Sequence, residues 1–305
     1  MIKNIPSKND FDVVGASLLD QSWDIVATLL SGLEEAKQYV GDGAEEELYW
    51  HSARTKLATA LTIAHQGAEF LLKGRIAEVS PLLLILSAPK DWPKPAPGGD
   101  GHVKFAQFRT VDAQDLVRLH DGCAAVPLDS GFAAAFEDLR MKRNSIMHSV
   151  DEGLHFEAGV LLEEILRIHK TLIPERNWVE ARREALENYS ETHVWLGDWV
   201  GPKLVRELNA AVKVLSKKLA LEYFNFDKDR RSYLCPECTF SVCEDEDFDS
   251  FSATLTEKSP DCETVSCFIC GQHASVTRTD CPSANCPGNV ISDEYARCLT
   301  CGGDN

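Results

Sequence analysis

The 305 residues of this chain carry 48 acidic against 31 basic side chains, and the net charge of −17 excludes a protein that coats DNA or RNA through a broad basic face. With 44% hydrophobic and 26% charged residues, the composition is that of a globular protein, long enough to bury a sizeable core and to form two domains. The opening MIKNIPSKNDFD has no apolar signal core, and the longest apolar run, residues 81–88, is too short to span a membrane, so a cytoplasmic location is expected.

In chain order, residues 18–40 carry apolar side chains at three-to-four spacing and stop at Gly41, which predicts a helix. A second long helix is predicted from about residue 44 to 73, with Glu69 placed one turn before Lys73 to support it. Over residues 80–86, Ser80 reads as the cap and Pro81 as the first position of a short buried helix. Prolines and glycines crowd residues 87–101, which predicts a loop. Helical segments are then expected near 112–120, 130–147, 154–170, 175–196 and 202–223, with no period-two strand pattern up to about residue 230. The fold expected is an all-α helical bundle over residues 1–231, followed by a small cysteine-rich module of zinc-ribbon type over residues 232–305.

Charge and sulfur both concentrate in that second part. Residues 232–305 hold 13 acidic and 3 basic residues, and the run DEDFDS at 245–250 is expected in a solvated insertion. An RNA or nucleotide partner should therefore meet the first part of the chain, at a local site. Ten of the eleven cysteines lie between Cys235 and Cys301; the remaining one, Cys123, reads as a buried small hydrophobe. Without a signal peptide, repeated CxxC pairs point to metal binding more than to a disulfide framework. Cys235, Cys238, Cys267 and Cys270 form one four-thiolate set, and Cys281, Cys286, Cys298 and Cys301 a second. Two-residue spacing lets both sulfurs of a knuckle reach one tetrahedral ion, and Gly271 and Gly302 permit the tight turn that follows. Two structural zinc ions are expected, each site closed by four thiolates, with redox switching and iron–sulfur binding as the other readings. Cys243 and Cys262 are left over, free or able to replace a member of either set.

The helix expected over 130–147 carries an anomaly. Phe132, Phe136, Leu139, Arg143, Ile146 and Val150 recur at core spacing, so Arg143 occupies a slot that suits leucine. Its charge cannot be shed and must meet water, a carboxylate or a phosphate. Asn144 and His148 lie one turn apart on the neighbouring face. Arg143 and His148 stand about 140° apart around an ideal helix, so their convergence needs the arginine's length, a frayed end or a second subunit. The plainer reading is a salt-bridged arginine, with a histidine favoured at the helix end by the dipole.

Arg143-Asn144-Ser145-Ile146-Met147-His148 resembles the Arg-x4-6-His motif of the HEPN superfamily, including the polar residue directly after the arginine. The segments GAEFLLKGRIAEVSPLLLIL (67–86) and FRTVDAQDLVRL (108–119) are similar to the family's helix pair and to its lead into the motif helix. The resemblance covers about residues 20–170. It implies a HEPN-like helical bundle that dimerises, and in active members a metal-independent endoribonuclease of toxin or antiphage-defence type. Carried over, His148 serves as general acid or base, Arg143 binds the scissile phosphate, and Asn144 orients the histidine or contacts phosphate. Glu152 stands where some members carry a modified tyrosine, so that mode of regulation is not implied. The expected partners are RNA, a second copy of the chain, and an antitoxin or regulatory protein contacting the acidic tail. The alternative is a non-catalytic HEPN-like RNA- or nucleotide-binding or protein-interaction module.

Overall fold

The computed structural model describes residues 1–40, 45–95, 97–98, 101–148, 157–195, 199–243 and 248–304, without the side chains of Gln38, Val40, Met147, His148, Glu191 and Trp195. Val150, Glu152, residues 245–247 of the DEDFDS run and the His148 imidazole lie outside that description. The chain is mostly helical and divides into two compact units, Met1–Val26 with Glu47–Glu175, and Ala27–Glu46 with Arg176–Asn305.

The first unit is built around α1 (Lys8–Val40, of which residues up to Val26 belong here) and α2 (Glu46–Val79). α1 begins ten residues before the expected start at 18 because Ser7 and Asp10 cap it reciprocally. The Asp10 amide donates to Ser7 Oγ at 3.3 Å, and the Ser7 amide donates to Asp10 Oδ2 at 2.8 Å. The Ser7 hydroxyl, donating to Asp10 Oδ2 at 2.7 Å, and then the Ser7 amide hold the Asp10 carboxyl below its usual range. Gly15 and Gly67 let the two helices approach closely: a Cβ on Gly15 would sit 2.9 Å from the Gly67 carbonyl oxygen, and one on Gly67 would sit 3.0 Å from that of Gly15. Ser22 Oγ donates to the Ala60 carbonyl at 2.7 Å across the same interface. Among the described residues α1 alone is long and apolar enough to cross a membrane, and half of its apolar window is buried in the structure, as in a core helix.

Residues 80–86 depart from expectation. Pro81–Leu84 is a 3-10 turn, Ser80 makes no side-chain cap bond, and only Leu84 of that turn is buried. Leu82 and Leu83 face solvent. A short parallel pair, β1 (Ile2–Lys3) with β2 (Val103–Lys104), appears where no strand was expected. It is too short to carry an alternating pattern. α3 (Ala113–Cys123), α4 (Ser130–His148) and α5 (Ala158–Leu172) complete the unit. Leu19, Trp23, Leu57, Leu72, Leu116, Phe132, Phe136, Leu139 and Leu162 are among its buried side chains. Cys123, at the end of α3, is only partly buried, since its turn faces the surface.

In the second unit two expected helices are each broken in two, at Asn188 and at Leu215. Residues 175–196 form α6 (Trp178–Glu187) and α7 (Ser190–Trp195), with Asn177 Oδ1 accepting from the Glu180 amide at 2.9 Å. Residues 202–223 form α8 (Val200–Val214) and α9 (Lys217–Phe224), the latter capped by Ser216. The cysteine-bearing segment adds an antiparallel sheet in the order β3 (Ala253–Leu255), β4 (Thr264–Cys267), β5 (His273–Thr277), β6 (Ile291–Ser292). The division of the chain by packing falls between Glu175 and Arg176, which places α6–α9 in one unit with the cysteine segment. Its physical cause is the apolar surface that α6, α8 and α9 share with the cysteine segment. Phe224 and Phe226 lie 5.8 and 4.8 Å from the Phe268 ring, Gly201 packs against Val242, and Arg183 donates to the Ile269 carbonyl at 3.3 Å.

Candidate functional site

Two chemically distinct features are built on this frame, and they lie in different units. The first is a cleft of about 370 Å³ in the first unit, where α2, the start of α3 and α4 meet. Arg140, Arg143 and Asn144 of α4 face it, with His65, Glu69 and Lys73 of α2 and residues 110–114 at the start of α3. The apolar stripe on α4 is real up to this point: Phe132, Phe136 and Leu139 are at most 2% exposed, whereas Arg143 is half-buried and opens onto the cleft. The slot that suits leucine is thus polar because it forms a wall of a cavity.

Arg143 Nη1 donates to Asn144 Oδ1 at 3.1 Å. A guanidinium only donates, so the acceptor must be the amide oxygen, and the Asn144 NH2 remains available as a donor. Three neighbouring cations are matched by carboxylates: Lys73 to Glu69 at 2.6 Å, Arg140 to Glu137 through a bidentate pair at 2.7 and 2.8 Å, and Arg109 to Asp112 at 2.7 Å. Arg143 has no carboxylate partner among the described residues. Among the described residues it is therefore the uncompensated charge of the cleft. His148 closes α4 by its backbone; the position of its ring is not described. The sequence-derived set is accordingly brought together at Arg143 and Asn144.

His65 is the cleft residue that sequence reasoning missed. It is 2% exposed, stacks on Phe136 with ring centroids 5.2 Å apart, and its Nε2 is buried with no hydrogen-bond partner. Burial holds its imidazole below the ordinary histidine range; Glu69 opposes that, and the Arg143 and Arg140 charges push it further down. Burial thus favours the neutral ring. A signal was present in the sequence, since His65, Glu69 and Lys73 recur every four residues along one stripe of α2. Its meaning depended on which helix that stripe faces.

The second feature is sulfur. Cys235, Cys238, Cys267 and Cys270 bring their Sγ atoms within 4.8 Å of one another, and so do Cys281, Cys286, Cys298 and Cys301. Four sulfurs each about 2.3 Å from a single ion would be separated by edges of about 3.8 Å. The observed separations match: 3.6 Å for Cys235–Cys270 and 3.8 Å for Cys238–Cys267, Cys281–Cys301 and Cys286–Cys298. Backbone amides turn toward the sulfurs, Ile269 to Cys267 at 3.3 Å and Gly288 to Cys286 at 3.3 Å, as suits thiolates. Thiol bonds from Cys235, Cys238 and Cys270 hold Cys267 far below the usual thiol range.

Local chain geometry explains how each knuckle closes. Gly271 and Gly302, directly after Cys270 and Cys301, take φ of +73° and +71°, and their amides bond back to the Cys267 and Cys298 carbonyls at 3.1 and 2.8 Å. A Cβ on Gly288 would lie 2.8 Å from Cys298 Sγ, so glycine is needed where the chain passes that cluster. Each group of four can hold one metal ion. Cys243 and Cys262 are buried and join neither group; Cys262 Sγ instead donates to the Thr264 carbonyl at 3.3 Å.

Comparison of the chain with protein-family models, curated proteins and solved structures finds no match. Function must therefore be argued from the two sites themselves.

The clusters differ in access. Cys235, Cys238 and Cys267 are buried, whereas Cys301 is exposed and Cys281 and Cys286 are half-buried. Metal release to a chelator, followed with a metallochromic dye, is expected in two phases of one ion each. The faster phase should coincide with alkylation of Cys281 and Cys301 in peptide mass maps. Loss of both ions in one phase would contradict the difference in access.

Proposed function

We propose that the chain is a HEPN-like endoribonuclease that cleaves RNA without a catalytic metal, acting as a cytoplasmic toxin or antiphage-defence protein. The observation that carries this reading is Arg143, a guanidinium with no carboxylate partner among the described residues, set in the wall of a polar cleft beside Asn144. An uncompensated, half-buried arginine next to an amide donor suits a phosphodiester. The chemistry asked of the site is modest. The ribose 2′-oxygen forms a bond to phosphorus as its proton passes to a base, and the P–O5′ bond breaks as that oxygen takes a proton from an acid. The products carry a 2′,3′-cyclic phosphate and a 5′-hydroxyl. Histidine is the side chain suited to exchanging protons near neutral pH, and His148 is assigned the proton-carrying role. A homodimer supplies two such histidines, one for each transfer.

The eight clustered thiols fit two zinc ions, because the sulfur separations are those of a tetrahedral thiolate site and a reducing cytoplasm keeps them available as ligands. With four sulfurs each, these sites leave no open position for substrate and serve the fold. The acidic cysteine segment is the surface offered to a regulatory or antitoxin protein.

General acid–base catalysis and phosphate stabilisation are each worth about 100-fold or more. Arg143→Ala and His148→Ala are each expected to reduce cleavage of total cellular RNA by at least about 100-fold, while metal content and helicity stay at wild-type values. If wild type leaves varied RNAs intact while still binding them, the chain is a non-catalytic binding module.

A further inference from the structure

We infer that the cleft is a phosphate-binding site completed within one chain, in which the open N-terminus of α3, the Arg143 guanidinium and the His65 imidazole surround a single phosphate group. The site deepens the ribonuclease reading, and only its identification with a phosphate of RNA rests on that reading.

Three observations on three separate elements converge. First, α3 is an 11-residue helix whose N-cap, Asp112, makes no side-chain cap bond; its carboxylate turns away to Arg109. The first-turn amides of Ala113 and Gln114 are thus left without a side-chain cap where these residues line the cleft. Uncapped amides and the positive end of the helix dipole form an anion site. Second, Arg143 adds a charge that the ion pairs among the described residues do not cancel. Third, His65 is buried and has a ring nitrogen without a partner, an arrangement that costs stability unless something uses it.

The composition of the rim narrows the ligand. Glu69 and Asp112 are already bound to cations, yet each carboxylate retains lone pairs that accept from hydroxyls. Their charge disfavours a second phosphate beside the first. A volume of about 370 Å³ has room for a phosphate with an attached sugar. The ligand class is therefore a single phosphate carrying a ribose, taken one per cleft from an RNA strand or a nucleotide.

The test separates this inference from cleavage. A His148→Ala chain, in which the α2–α3 surroundings are untouched, is titrated calorimetrically with inorganic phosphate and with a hexaribonucleotide lacking terminal phosphates. Two variants are then added singly. Ala113→Pro removes one amide donor at the helix position that tolerates proline best, after a residue already in extended conformation. His65→Phe keeps the stack on Phe136 and removes both ring nitrogens. Each is expected to weaken binding of at least one probe by about tenfold or more, with unchanged helicity. Binding of the hexanucleotide alone assigns the site to an internal diester, and binding of inorganic phosphate alone assigns it to a terminal phosphate. Folded Ala113→Pro and His65→Phe chains that bind both probes as tightly as the parent overturn the inference, even if RNA is still cleaved. Variant-sensitive binding without any RNA cleavage by wild type sustains the phosphate site and removes the ribonuclease reading.

Discussion

Replacing Cys267 by serine is expected to reduce bound metal from two ions per chain to one and to unfold the sheet of β3–β6. Cys267 is 3% exposed, ends β4, and lies 3.8 Å from Cys238 within its group of four sulfurs. The sheet around it is small: its strands run two to five residues, and Leu234, Val265, Ile269, Val276, Val290, Ile291 and Leu299 are its larger buried aliphatic side chains. A core of that size cannot offset the entropy of ordering the segment. A structural zinc contributes about 10–16 kcal/mol in comparable small sites, against a total stability of about 5–15 kcal/mol for a whole domain. Loss of one ion therefore exceeds what the remaining contacts can supply. Because α8 and α9 pack against the same segment, limited proteolysis should begin within 233–304 and extend into those helices. Cys243→Ser, a buried cysteine outside both groups, should keep two ions. Equal metal content and equal protease resistance for Cys267→Ser and wild type would contradict the assignment.

Arg182→Met is expected to cost about 3–5 kcal/mol, about a fifth or more of a typical domain's stability. Arg182 is 0% exposed and donates from Nε and Nη2 to the two carboxylate oxygens of Glu207 at 2.9 and 2.8 Å, and from Nη1 to the Tyr189 hydroxyl at 2.8 Å. This fork joins α6 to α8. The single change leaves the Glu207 carboxylate, itself 3% exposed, without its main partner; Lys203 at 3.0 Å compensates in part. Changing both ends to apolar residues, Arg182→Met with Glu207→Leu, removes the buried charge altogether and should recover most of the loss. Lys203 then turns to solvent, which its partly exposed side chain can reach. Urea unfolding should show the midpoint fall for the single variant and return for the double, at constant m value. A double variant as unstable as the single would show that the fork's contribution is packing geometry and not charge.

How far the sequence could be read follows from how local each feature is. The cysteine knuckles were legible where two-residue spacing encodes a turn, at Cys235–Cys238, Cys267–Cys270 and Cys298–Cys301, whereas the wider Cys281–Cys286 pair and the exclusion of Cys243 and Cys262 became definite only once the sulfurs were grouped in space. Long helices were legible from periodicity, though their ends were not: the Ser7–Asp10 box that starts α1 and the Ser216 cap that separates α9 from α8 were read through as ordinary polar positions. The strands were invisible because β3–β6 are short and their inward side chains include cysteine, alanine and serine, which produce no alternation of large apolar residues. The packing division at Glu175/Arg176 was not legible either, since the aromatic contacts of Phe224 and Phe226 with Phe268 join residues more than 40 positions apart. In the cleft, Arg143 announced itself by breaking an apolar stripe. His65 did not, because a histidine inside a helix acquires meaning only from what faces it.

The central claim is that the Arg143 cleft serves phosphodiester cleavage by the 2′-hydroxyl. Its most direct test is the end chemistry of RNA fragments made by the purified chain without added divalent metal. The account predicts 2′,3′-cyclic phosphate and 5′-hydroxyl ends, no cleavage where the scissile nucleotide is 2′-deoxy, and no fragments from Arg143→Ala. Fragments bearing 3′-hydroxyl and 5′-phosphate ends, or equal cleavage by Arg143→Ala, would contradict it.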